Sequence, residues 1–430
     1  NYWVNNSGVM VTLDWEAPGD EVSSTKVNVA PDAYLSLASN PDNQNIIDEE
    51  KLWFLKMTVN REAQVYYEGE NVEFSSLTVK ITPTSGTYTN TQAQAIFNQL
   101  LVYRSSDNSW EETDIVCGTK TGGQITLSDQ GTITIGLDGT AIIASDTTRY
   151  YFFTIKTTGT ASGQESRTFN VQIDPQIDVC LEDNETNITF PHEYNSYSPT
   201  SQARPIPKIP EATATSTAPE VISNNQTDDL LRIKVIHTGT VGAGAIELNQ
   251  ATITFTASDT TTLMSTQDAK GLFETVSIYK DNGDGLWTLS DIEVGSCTNA
   301  DLSLVDGRLT LVLPEDIGTT TGGSYTYYFL ATKMKSDASS YGTTTFTSAI
   351  DPDTLRILEM KDNILLSPLP AQDTVTTGLV RAVAANPNIF GLDTSPVTII
   401  NSTEDDLIRV DVGNTAGGTI TLGSVTVGFN

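Results

Sequence analysis

Apolar and polar residues alternate with a period of two along much of the chain. In residues 77–81 (Leu-Thr-Val-Lys-Ile), Leu77, Val79 and Ile81 fall on one face and Thr78 and Lys80 on the other. Residues 125–127 (Ile-Thr-Leu) and 133–135 (Ile-Thr-Ile) repeat the pattern. This is the mark of strands with one buried face, and the abundance of Thr, Val, Ile, Tyr and Phe in these segments suits a pleated surface. Turn residues punctuate the runs at Gly122-Gly123, Asp129 to Gly131, Asp306-Gly307 and Gly322-Gly323. Only short stretches such as 91–97 read as helical. Many short antiparallel strands with turns between them predict an all-β chain of β-sandwich architecture.

The pattern also recurs at long range. Residues 228–235 (Asp-Asp-Leu-Leu-Arg-Ile-Lys-Val) match 50–57 at a spacing of 228 − 50 = 178 and 405–412 at 405 − 228 = 177. Residues 72–81 match 246–255 and 420–429, 97–103 match 273–279, 150–156 match 327–333, and 168–175 match 345–352. Such self-similarity means one folding unit used repeatedly, here tandem β-sandwich repeats of about 177-residue period. The predicted organisation is a closing piece of a preceding repeat over 1–46, with strands at 9–15 and 25–29, and a sandwich over 47–190. A Pro/Thr-rich linker follows over 191–224, then a second sandwich over 225–375, a connector over 376–402, and opening strands of a following repeat over 403–430. The linker reading rests on Pro191, Pro199, Pro205, Pro207, Pro210 and Pro219 among many Ser and Thr. Two strands at the back bury too little to stand alone, so the repeat predicts that the chain continues on both sides.

Charge narrows the partners. The 430 residues carry 23 Lys plus Arg against 54 Asp plus Glu, a net charge of −31. That argues against nucleic acid and against anionic membrane surfaces, both of which call for Lys and Arg. It suits solubility first and a cation-collecting surface second. No apolar run approaches the roughly 20 residues of a membrane-spanning helix.

Candidate chemistry is sparse. Asp281-Asn-Gly-Asp-Gly285, followed by Trp287 and Asp291, places carboxylates on a Gly-bearing turn, and calcium takes six to eight hard oxygens. Asp281, Asp284 and Asp291 are therefore the candidate calcium ligands. One period earlier, Asp107, Trp110 and Asp114 keep part of the set, with Ser105 and Ser106 in place of the Asp-Asn-Gly, and make a weaker site. The competing reading is an acidic β-turn using Asn-Gly and Asp-Gly for positive φ. The pairs Asp228-Asp229 and Asp405-Asp406 read as solvated strand ends. Cys117 and Cys180 could form a disulfide if the fold brings them together, or serve as small buried hydrophobes; Ile357 stands one period after Cys180, so a bridge is not intrinsic to the repeat. Sequons at Asn5, Asn184, Asn187, Asn225 and Asn401 are glycosylation candidates in an exported chain. The two histidines, His192 and His237, form no metal-protease pattern, and no Gly-Lys phosphate loop is present. No carboxylate pair is singled out for glycosidase chemistry, and a non-catalytic role is expected.

Acidic, Lys-poor, Thr-rich tandem units with the run Val-Ser-Ile-Tyr-Lys-Asp-Asn-Gly-Asp-Gly-Leu-Trp at 276–287 resemble the immunoglobulin-like repeats of large prokaryotic surface proteins, including surface-layer (S-layer) proteins and adhesins. The resemblance implies immunoglobulin-like sandwiches, export to the cell surface, calcium dependence, glycosylation and self-assembly with copies of the chain as partners. Two roles follow as expectations: a structural component of a surface layer or extracellular filament, or the stalk of a surface adhesin or carbohydrate-binding protein.

Overall fold

The computed structural model describes residues 33–40, 44–61, 72–144, 147–174, 178–183, 189, 193–194, 199–258, 261–313, 319–369, 373–384, 388–393 and 408–413. The chain forms two compact units, Asn1–Ile206 and Pro207–Asn430.

In the first unit the strands are β1 (Ala33–Ser39), β2 (Gln44–Ile47), β3 (Lys51–Arg61), β4 (Val72–Pro83), β5 (Phe97–Ser105), β6 (Ile115–Thr121), β7 (Thr132–Gly136), β8 (Ile142–Ile143), β9 (Thr147–Thr157), β10 (Phe169–Gln172), β11 (Val179–Asp183), β12 (Glu193–Tyr194) and β13 (Thr200–Ile206). A front sheet runs β12-β1-β3-β9-β5-β6 and a back sheet β11-β4-β10-β13-β2, with β7 and β8 also on β4. The alternation in sequence becomes an inside and an outside. Met57, Val59, Leu100, Val102, Phe153 and Ile155 from the front sheet meet Phe74, Val79, Ile81, Ile135 and Val171 from the back sheet in one buried cluster. Each such side chain contributes about 1.5–3 kcal/mol by leaving water. Phe97 and Phe169 meet edge to face at 4.9 Å between ring centroids, with Phe54 at 5.5 Å from Phe169. The one α-helix described in this unit, α1 (Asn90–Ile96), begins with a capping box: Thr89 Oγ1 accepts the Gln92 N–H and Gln92 Oε1 accepts the Thr89 N–H.

The second unit contains β14 (Glu211–Ser216), β15 (Val221–Ser223), β16 (Thr227–Ile236), β17 (Ile246–Ala257), α2 (Thr266–Leu272), β18 (Phe273–Lys280), β19 (Ile292–Thr298), β20 (Arg308–Val312), β21 (Thr319–Thr320), β22 (Tyr325–Met334), β23 (Thr345–Ile350), β24 (Arg356–Glu359), β25 (Ile364–Leu366), β26 (Val375–Thr376) and β27 (Val380–Val383). Its front sheet runs β14-β16-β22-β18-β19 and its back sheet β15-β27-β23-β17-β24-β25, with β20 and β21 also on β17. The strand order is that of the first unit: β4 and β17 each take four partners, and Phe273 and Phe346 stack at 5.0 Å as Phe97 and Phe169 do. A further antiparallel pair, β28 (Asn388–Asp393) with β29 (Ile408–Gly413), follows.

Four sequence expectations are corrected. Residues 191–224 are not simply a linker: β13 joins the back sheet of the first unit and β14 the front sheet of the second. Pro205 is tolerated because β10 reaches only to Ala203, and Pro205 lies beyond it, beside Ile46 of β2. Residues 33–46 do not close a preceding repeat; β1 pairs with β3 throughout its length and β2 pairs with β13. The expected connector begins too early, since β27 pairs with β23 and β15 in the second unit, and β28 already pairs with β29. Finally, Leu55 stands opposite Phe153 and Leu231 opposite Leu330, which equates Leu55 with Leu231 rather than Ile233. The sequence match of the opening strand was displaced by two residues, a shift that leaves every side chain on the same face. The strands expected at 9–15, 25–29 and 420–429 lie outside the described residues.

Candidate functional site

The outward face of the front sheet in the second unit carries the most concentrated chemistry described. Along β16, Leu231, Ile233 and Val235 point into the core, so Arg232 and Lys234 point out. Along β22, Tyr328 and Leu330 point in, so Tyr325 and Tyr327 point out. The antiparallel register sets Lys234 opposite Tyr327 and Ile236 opposite Tyr325. The Arg232 guanidinium lies 4.9 Å from the Tyr327 ring centroid, and Lys234 Nζ lies 4.2 Å from that of Tyr325 and 5.9 Å from that of Tyr327. The two tyrosine rings meet edge to face at 5.2 Å. Each cation is held by the negative ring face beneath it.

The wall beside this ladder is the turn after β18. The Asp281 N–H donates to Tyr327 O at 3.0 Å, so the turn is anchored to β22. Gly283 and Gly285 take φ of 111° and 75°, the left-handed side that glycine reaches without strain. Arg232 Nη1 approaches Gly285 O at 3.4 Å. Arg232, Lys280, the turn 281–285 and residues 325–327 enclose a cleft of 570 Å³.

The turn's carboxylates hold the turn itself. Both Asp281 oxygens accept the Gly285 N–H at 3.1 Å, Asp284 Oδ1 accepts Leu286 N–H at 2.8 Å, and Asp291 accepts Asn282 N–H at 3.1 Å and Thr288 N–H at 2.8 Å. No group of three His, Cys, Asp or Glu is placed to hold a metal ion among the described residues. Asp281, Asp284 and Asp291 thus do not fit a shared calcium: the ligand oxygens are directed at neighbouring backbone donors instead of one centre. At the weaker position, Asp107 Oδ1 accepts from Ser109 N–H at 2.9 Å and from the Ser109 hydroxyl at 2.6 Å, which hold its carboxyl below the usual range, and Asp114 accepts Glu111 N–H at 2.9 Å. These are acidic turns closed on themselves.

The other expected groups separate. Cys117 and Cys180 are free thiols on strands of different sheets, which corrects the disulfide reading. Cys117 is buried with its thiol toward Val102 O, while Cys180 faces Glu182 and Thr189. Burial pushes the Cys117 thiol up to about 12, so it is inert. His237 is buried, with Nδ1 accepting Gly239 N–H at 3.0 Å and Nε2 2.8 Å from Gly244 O; burial lowers its pKa and it serves as a neutral structural link. Asp228 and Asp229 are partly buried, and that burial raises both carboxyls. Asn225 is exposed, in a turn at φ 60°, while Asn5, Asn184, Asn187, Asn401 and His192 lie outside the described residues.

The ladder of Arg232, Lys234, Tyr325 and Tyr327 was missed by motif reading because its halves are about 90 residues apart, joined only by the β16–β22 pairing. The available signal was two short alternations, Arg-x-Lys and Tyr-x-Tyr, on the polar faces of two strands. The first unit differs at this place. Lys56 stands at the Arg232 position, opposite Phe152, and donates to Asn108 Oδ1 at 2.8 Å; Thr58 and Thr148 replace Lys234 and Tyr325. Tyr103, Trp110, Tyr150 and Phe152 pack over that face at the places that Tyr279, Trp287, Tyr327 and Phe329 hold in the second unit, and Trp53 adds to them where the second unit has Asp229.

No protein-family model and no curated protein matches the chain. Similar solved structures include a serine-rich repeat protein (Srr2) from Streptococcus agalactiae, at 9% identity and TM-score 0.17 over 81% of this chain and 91% of that one. The CupB6 tip adhesin from Pseudomonas aeruginosa is similar at 7% identity and TM-score 0.22, over 82% and 97%. The major pilin SpaD from Corynebacterium diphtheriae is similar at 7% identity and TM-score 0.23, over 80% and 59%. Likenesses of this strength carry no functional argument. No helix among the described residues is long and apolar enough to cross a membrane.

Proposed function

We propose that this chain is a structural component of a cell-surface layer or extracellular filament, built from β-sandwich units in series that meet copies of the same chain. The observation that carries the reading is two sandwiches of one strand order following each other, each with its own buried core and each completed by strands from the intervening segment. Repetition of a self-contained unit suits a spacer or array. The net charge of −31 makes copies repel at low ionic strength, and salt or divalent cations screen that repulsion. Sedimentation velocity and electron microscopy of the purified chain across an ionic-strength series test the proposal. Ordered sheets or filaments that grow with salt are expected; a monomer under every condition would count against self-assembly. The localisation part is tested by antibody labelling of intact source cells, where absence of surface label would overturn it.

The alternative, the stalk of a surface adhesin or carbohydrate-binding protein, is favoured by one feature, the polar-aromatic cleft on the second unit. It requires a dispersed chain that binds a ligand without forming arrays.

A further inference from the structure

We propose that Asn282 is a self-modification site, where the side-chain amide is converted to aspartyl and isoaspartyl through a ring closed by the Gly283 nitrogen. The reaction needs neither self-assembly nor a ligand, so the inference stands apart from the proposed function.

Ring closure needs a backbone nitrogen that is free, unhindered and next in the chain. Asn282-Gly283 is the one Asn-Gly pair in the 430 residues. Glycine has no Cβ to obstruct the closure. Both residues are exposed, and a Cβ placed on Gly283 would meet nothing within 4 Å, so the nitrogen lies open to water. The Gly283 N–H makes no hydrogen bond among the described residues. The amide it faces is held in place. Asn282 Nδ2 donates to Ser290 Oγ at 3.3 Å, and Asn282 Oδ1 accepts the Asp284 N–H at 3.3 Å. The Asp284 N–H thus points at the oxygen on which charge develops during attack, where a donor lowers the barrier.

Other asparagines lack this combination. Asn108, in the corresponding loop of the first unit, precedes Ser109, whose N–H is tied to Asp107 Oδ1 at 2.9 Å. Asn225 precedes Gln226, whose N–H donates to Ser223 O at 3.0 Å. Asn299 commits its side-chain Nδ2 to Lys270 O and Phe273 O at 2.8 and 2.6 Å.

The chemistry uses water alone. The Gly283 nitrogen gives its proton to solvent and bonds to Asn282 Cγ. The Cγ–Nδ2 bond breaks, and Nδ2 leaves as ammonia with a proton from solvent. Water then opens the five-membered ring at either carbonyl. Opening at Cγ restores the main chain and leaves aspartate; opening at the main-chain carbon leaves isoaspartate, with the chain routed through Cβ and Cγ. No atom is oxidised or reduced. Either product changes the cleft. Its lining sets Arg232 and Lys280 against Asp281 and Asp284, and a carboxylate at 282 makes it net negative. The isoaspartyl form also lengthens the path between Asp281 and Gly285, which the Asp281 carboxylate now closes through the Gly285 N–H at 3.1 Å.

The test is prolonged incubation of the intact chain in mildly alkaline buffer at physiological temperature. Peptide mapping by electron-transfer mass spectrometry separates aspartate from isoaspartate, and enzymatic methylation of isoaspartyl groups counts them. Asn282 is expected to convert to both products at least about tenfold faster than Asn108, because only its neighbour lacks a Cβ. Asn282→Gln should abolish the isoaspartyl label with an unchanged thermal melt, and Asn108→Gln should leave it in place. Conversion of Asn282 no faster than Asn108, or a label that survives Asn282→Gln, would overturn the proposal. Aspartate without isoaspartate would mean direct hydrolysis without Gly283, and would overturn it too.

Discussion

Asp48 is a buried carboxyl with a counterpart that tests its cost. It accepts the Ser162 N–H at 2.9 Å and the Ser162 hydroxyl, with Arg167 nearby. In the second unit Asn224 makes the same pair of bonds to Ser339, both at 2.9 Å, and Thr344 takes the place of Arg167. Burial raises Asp48 from 3.8 to about 6, against the pull of Ser162 and Arg167. The folded state therefore holds the proton more tightly than the unfolded state. The stabilisation is complete below about pH 4 and is lost as pH rises through about 6, on the order of 2–3 kcal/mol across that window. Asp48→Asn is expected to flatten this slope, read by chemical denaturation between pH 4 and 7; an unchanged slope would remove Asp48 as its source. Core packing sets a second expectation at this scale. Phe273 is fully buried between Phe255 and Phe346, at 5.2 and 5.0 Å between ring centroids. Phe273→Ala should cost about 3–5 kcal/mol in urea unfolding, from lost transfer energy and the cavity left behind.

At the scale of elements, the segment that reads as a Pro/Thr-rich linker is where sequence and structure part most clearly. Pro-rich composition argues for an extended, solvated spacer, and the chain is extended there. What composition misses is the alternation beneath it: Ser201, Ala203 and Pro205 in β13, and Ala212 and Ala214 in β14, all turn inward. Small residues carry a weak hydrophobic signal, so a window dominated by Pro, Ser and Thr hides a strand. Ala214→Asp should therefore unfold or severely weaken the second unit, since an unpaired carboxylate at a 1% exposed site has no partner. A linker would tolerate it. Differential scanning calorimetry separates the two outcomes. The first helix was easier: 91–97 reads as helical from sequence, and α1 spans Asn90–Ile96 under its Thr89–Gln92 capping box.

For the whole molecule, the question is whether ions are part of the fold. The turn at 281–291 satisfies its carboxylates with its own N–H groups, so a cation is not needed to close it. Calcium against a chelator should move the melting temperature by no more than about 1 °C at fixed ionic strength, since only a ligand selective for the folded state stabilises it. A clear, saturable rise would restore Asp281, Asp284 and Asp291 as ligands. Salt-dependent association of whole chains is a separate effect of the −31 charge and should respond to monovalent ions as well.

The sequence by itself determined the all-β class, the sandwich, the recurrence of its strands and the inward faces of most of them. These follow from period-two alternation, which is a local property of the chain. Register was beyond it, because a two-residue slip of β3 against β16 preserves every face and leaves the pattern unchanged. The calcium turn was half legible: the carboxylates are where the motif places them along the chain, but the direction of each oxygen depends on which N–H lies nearest in the folded turn. The strand identity of β13 and β14 was decided by their pairing partners, β10 and the distant β2 for one and β16 for the other. The cleft was decided the same way. Arg232 and Tyr327 are ordinary polar-face residues of two strands until antiparallel pairing brings a cation over a ring, and only the tertiary structure makes that pairing.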